Sequence, residues 1–91
     1  MKLKLHLKKE KNKLCLIDGG KIVSQSVWKE ENNMSQKLLP EIDKIIKRNK
    51  LKLSRIKRIE LESGIPASFT TVRIAKTTAK IFNYAVKFLD I

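Results

Sequence analysis

Ninety-one residues suffice for one domain, at the small end of what buries an adequate core without staples. Twenty-one Lys plus Arg stand against nine Asp plus Glu, a formal charge of +12, which favours polyanionic partners. Cys15 is the single cysteine, so an internal disulfide is excluded, and no apolar run is long enough to span a bilayer; a cytoplasmic protein without membrane attachment is expected.

The opening MKLKLHL alternates Leu3, Leu5 and Leu7 with Lys2, Lys4 and His6, the period of a half-buried strand. LKKEKNK supplies a turn, and KLCLIDGGKIVSQSVW then reads as a hairpin about Asp18-Gly19-Gly20, residues that tolerate positive φ in a tight connection. From Ser35 the period changes. Leu38, Ile42, Ile45 and Asn49 fall on one stripe and Leu39, Ile42 and Ile46 on the next, which predicts a helix of about four turns. Pro40 fits best if the regular helix starts near Leu39; a start at Ser35 would imply a kink.

After a Lys/Asn-rich connection, IKRIELE reads as a strand, SGIPA as a loop, and 68–83 as a second helix with Ser68 positioned to cap it. AVKFLDI is expected to close the fold as a fifth strand. The order βββαβαβ predicts an α/β domain with a mixed five-stranded sheet and two helices, the ribonuclease H-like arrangement.

Candidate chemistry is sparse. His6 lies on the surface side of a strand pattern, Cys15 has no Cys or His at metal-ligand spacing, and Glu60 and Glu62 alternate with Leu61. Asp18 is in a turn and Asp90 at the end of the chain, so the gathered carboxylates of a two-metal nuclease are not in evidence. The charge is mostly lysine, 17 residues against four arginines, and Ile and Asn are also frequent, as an AT-rich genome would give. The basic residues are spread along the chain without interleaved aromatics, so RNA binding stands as the alternative to a protein-binding role. On the second helix, Phe69, Val72, Ala75 or Lys76, Ala79 and Phe82 make a sheet-covering stripe, while Ile74, Thr77, Thr78, Ile81 and Ala85 make another. Apolar residues on two sides of a helix in a small domain point to an interface.

Two stretches carry a family resemblance. SQKLLPEIDKII, with Leu38, Leu39, Pro40, Ile42 and Asp43, and GIPASFTTVRIAKTTAK, with Pro66, Ser68, Phe69, Thr70, Arg73, Ile74, Ala79 and Lys80, resemble the corresponding motifs of the bacterial tRNA threonylcarbamoyladenosine biosynthesis protein TsaB. The resemblance implies half of an actin-like ATPase fold, with residues 1–91 as a single N-terminal lobe and the second lobe absent. It also implies a non-catalytic scaffold for the TsaD paralogue, the threonylcarbamoyl transferase, paired through the two helices. The expected interface is Leu39, Ile46, Ile74, Thr78, Ile81 and Ala85, with Pro40, Asp43, Ser68, Phe69, Thr70 and Arg73 as motif residues. A homodimer is expected for the isolated chain. The family's Asp-Thr-Ser-Thr-like phosphate loop is replaced by His6-Leu7-Lys8-Lys9, and its Gly-Pro-Gly by Ile65-Pro66-Ala67. Neither catalysis nor a metal nor a nucleotide cofactor is expected.

Overall fold

A computed structural model describes residues 1–89, with side chains through residue 87. The chain runs through β1 (Lys2–Leu7), β2 (Lys11–Asp18), β3 (Lys21–Lys29), α1 (Met34–Arg48), a 3₁₀ turn (Leu53–Arg55), β4 (Ile59–Ser63) and α2 (Thr70–Leu89). The sheet order is β3-β2-β1-β4. β1, β2 and β3 form an antiparallel meander, and β4 lies parallel to β1 after the α1 crossover. At the β2–β3 turn, Gly19 and Gly20 take φ of 59° and 80°, values that glycine adopts without Cβ strain.

Strand alternation separates the two faces of the sheet. Leu3, Leu5 and Leu7 pair with Leu16, Leu14 and Asn12 on β2 and with Ile59, Leu61 and Ser63 on β4. The leucines of β1 and β2 are almost wholly buried, and against them pack Trp28, Leu38, Ile42, Ile45, Val72, Ala75 and Ala79. The opposite face is polar. There Lys2 binds Glu60 at 2.8 Å, and Lys4 and His6 approach Glu62 at 3.4 and 3.2 Å. Cys15 lies in the same register as Lys4 yet is fully buried among its taller neighbours.

Three expectations are corrected. The helix α1 starts at Met34 and passes through Pro40. The hydrogen bond that proline removes would have ended on Gln36, which is exposed, so water can satisfy the freed carbonyl. The helix α2 opens at Thr70, with the Phe69 carbonyl accepting from the Arg73 N–H, and Ser68 stays in the preceding turn, with no side-chain hydrogen bond among the described residues.

The expected fifth strand is absent among the described residues, because residues 85–89 continue α2. Val72, Ala75, Ala79 and Val86 recur at three, seven and fourteen residues, so the buried helical stripe simply runs on. Asn83 occupies part of the edge that a fifth strand would have used. Its Nδ2 donates to the Ile59 carbonyl at 3.1 Å and its Oδ1 accepts from the Ile59 N–H at 2.7 Å. No helix of the described residues is long and apolar enough to cross a membrane.

Candidate functional site

The outer side of the helix pair holds most of the predicted interface. Glu41 reaches the Ser26 hydroxyl on β3, so one flank of α1 faces β3 and the opposite flank, bearing Leu39 and Ile46, is turned toward α2. Leu39 is 57% exposed and Ile81 65%, with Ala85 also exposed and Ile74 and Thr78 half-buried. Ile46 is different. At 8% exposure it belongs to the core, because its position lies close to Ile42 around the helix, and it offers a partner almost no surface. Tyr84, 66% exposed and one turn beyond Ile81, adds aromatic area that sequence reading passed over. Between the helices' exposed residues and the start of α2, Thr70, Arg73, Ile74, Thr77 and Thr78 line an open groove of about 410 Å³.

The motif residues separate. Pro40 and Asp43 are on the solvent side of α1, where Asp43 pairs with Lys47 at 3.0 Å. Arg73 is exposed in the groove and has no ion pair among the described residues. Phe69, expected on the sheet-covering stripe, is 49% exposed because it precedes the regular helix. It lines, with Lys9, Glu30, Asn32, Ile65, Thr70 and Thr71, a second groove of about 380 Å³ at the carboxyl ends of β1 and β4.

That second groove is occupied in part by the chain's own carboxylate. Glu30 accepts from Asn12 Nδ2 at 2.8 Å, from the Thr71 hydroxyl at 2.6 Å and from the Asn32 N–H at 3.0 Å. Burial pushes its pKa up, but the three donors outweigh it and hold the group below its ordinary 4.5. The network ties β2, the end of β3 and the first turn of α2 together. Sequence reading missed it, although one signal was available: Asn12 falls in the core register of Leu14 and Leu16, where an unpaired polar side chain would be costly.

The other titratable groups are engaged elsewhere. The Ser26 hydroxyl lowers the pKa of Glu41 against the effect of burial, with Lys44 and Lys37 assisting. Burial lowers that of His6, and Lys13, Lys4 and Lys8 add to this against Glu62. Glu60 is held low by the Lys2 hydrogen bond first and by Arg58, which binds it at 2.8 Å. No three His, Cys, Asp or Glu side chains converge as a metal site among the described residues.

No family model and no curated protein matches the chain. Solved structures do. YeaZ from Pseudomonas aeruginosa superposes with a TM-score of 0.79 at 24% identity over 96% of this chain. A second structure, described as an uncharacterized protein with similarity to peptidase YEAZ from Pseudomonas aeruginosa, gives 0.78 at 24% identity over 96%. The chain spans about two fifths of each, 41% and 40% of their lengths. A four-stranded mixed sheet with two helices packed on it, in the YeaZ arrangement, is therefore the fold of this protein.

Proposed function

We propose that this chain is a non-catalytic partner subunit in tRNA threonylcarbamoyladenosine modification, docking on a TsaD-like paralogue through the outer faces of α1 and α2. Alone, it would pair with a second copy through the same face. The observation that carries the reading is the exposed apolar surface along the helix pair, Leu39, Ile81 and Tyr84, each more than half exposed, beside Ile74, Thr78 and Ala85. Surface of this kind is normally covered in a small domain. The TsaB-like motifs on these two helices and the YeaZ (TsaB) fold support the same choice. A role without catalysis fits the replacement of the family's phosphate-loop residues by His6-Leu7-Lys8-Lys9 and of its Gly-Pro-Gly by Ile65-Pro66-Ala67.

Ile81→Glu tests the reading. The side chain is already mostly in water, so the folded monomer should be little affected, whereas a seam burying the new charge would lose a few kcal/mol. Light scattering should give a wild-type dimer and an Ile81→Glu monomer with unchanged circular dichroism. A pull-down with a TsaD-like paralogue should capture the wild type only. A wild-type monomer that ignores the paralogue refutes the proposal.

A further inference from the structure

Within the spread of positive charge, one segment has no counter-charge of its own. Residues 47–58 contain Lys47, Arg48, Lys50, Lys52, Arg55, Lys57 and Arg58 and no acidic residue, so 12 of 91 residues account for more than half of the net +12. The fold brings this segment to the end of the sheet where β1 begins. Lys57 N–H donates to the Met1 carbonyl at 2.8 Å and Leu3 N–H to the Arg58 carbonyl at 2.9 Å. Met1, Lys2, Lys57 and Arg58 face the Gly19-Gly20 turn across an open groove of about 480 Å³. We propose that this end of the molecule binds the phosphodiester backbone of base-paired nucleic acid.

Three features support a binding surface over a merely solvated one. Lys50, Lys52, Arg55 and Lys57 have no acidic partner within ion-pair distance among the described residues, as is also true of Lys8, Lys9 and Lys11, whereas Lys2 and Arg58 beside them both pair with Glu60. Their backbone is also fixed. Leu51 N–H closes on the Ile46 carbonyl and Lys50 N–H on that of Lys47, the paired bonds of a Schellman helix end, and a 3₁₀ turn follows.

Third, Lys50 holds φ of 54° at the helix-end position where glycine is the strain-free residue. A cation stands there at a local backbone cost. The class of partner follows from what else is present. No Phe, Trp or Tyr occurs in 1–27 or 47–58, so these segments offer unpaired bases only arginine planes to stack on, which favours phosphate contact along a duplex. Within 47–58 Leu53 is the one well-exposed large apolar side chain, too little to anchor in lipid.

The test is fluorescence anisotropy with a labelled RNA hairpin and the DNA hairpin of the same sequence, titrated across salt. Binding should weaken linearly in log–log form as salt rises, and Lys52→Gln/Arg55→Gln/Lys57→Gln should reduce that slope by about three, roughly one per phosphate contact. Lys8→Gln/Lys9→Gln/Lys11→Gln, the same charge change at the opposite end of β1, should alter affinity less than about threefold. Lys50→Gly should raise the melting temperature while lowering the slope by about one. Comparable binding of both hairpins identifies the backbone itself as the ligand, and a preference for RNA identifies its A-form and 2′-hydroxyls; either supports the proposal. Equal losses from the two triple variants, equal affinity for an unstructured oligonucleotide, or stronger capture by phosphatidylserine vesicles than by either hairpin would overturn it. The inference is independent of the helix interface: a monomer that ignores the paralogue and binds the hairpin retains this one and loses the other.

Discussion

Glu30→Ala removes the acceptor at which three elements meet, and its cost follows from the groups left behind. Asn12 is fully buried and already has one oxygen, Oδ1, without a partner; losing Glu30 orphans its Nδ2 as well. A buried donor left unmade costs about 1–3 kcal/mol. The Thr71 hydroxyl and Asn32 N–H lose their acceptor too, but they lie beside the groove and regain water, adding about 0.5–1 kcal/mol together. The expected destabilisation is therefore about 1.5–4 kcal/mol, out of roughly 5–14 kcal/mol for a chain of this length. Urea unfolding followed by circular dichroism measures it, and the denaturant slope should stay constant. The companion variant is Glu30→Ala/Asn12→Leu, which removes the orphan along with its acceptor and extends the leucine face of β2. It should recover about 1–2 kcal/mol of the loss. A Glu30→Ala protein within 0.5 kcal/mol of wild type, or a double variant worse than the single one, refutes this account of the network.

Two further outcomes follow from the core and from the low carboxyl pKa values. Glu30 and Glu41 sit below their ordinary 4.5 when folded, so their contribution is full above about pH 4.5 and is lost as pH falls through the folded values. Urea midpoints should fall from pH 5 toward pH 3, and Glu41→Gln should flatten that decline. Leu5, fully buried between Leu14 and Leu61, should cost about 2–5 kcal/mol as Leu5→Ala, read as a fall in melting temperature. An unchanged melting temperature would mean that Leu5 is not central to the packing.

The meander was legible because its signals are local: alternating leucines and an Asp-Gly-Gly turn need nothing beyond their own neighbours. The helix α1 was legible in kind, and Pro40 misplaced its start because what decides a proline's cost is whether the freed carbonyl meets water, a property of the tertiary fold. Residues 85–91 alternate well enough to suggest a strand. The helical stripe ending at Val86 is equally present, and packing against the sheet selected it; Asp90 and Ile91 lie outside the described residues. The apolar flank of the helix pair was readable from periodicity, but Ile46 was assigned by stripe alone, and a residue at a stripe's edge is buried or exposed according to how closely the neighbouring helix approaches. Of the Glu30 network only Asn12, polar in a core register, gave a signal; its partners could not be named, since they are 18 and 41 residues apart.

Asn83 has a consequence for how the sheet ends. A strand at a margin repeats the same donor and acceptor pattern that holds the strands within, and so invites another chain to continue it. Here a side-chain carboxamide, chemically a short piece of backbone, meets both groups of Ile59 and cannot be extended further, because its own chain leads back into a helix. It acts as a terminator in a growing ladder: one unit that fits the template and offers no next site. At Ile59 the sheet thereby ends without a fifth strand, and that one rung is closed to a neighbouring molecule in a crowded solution.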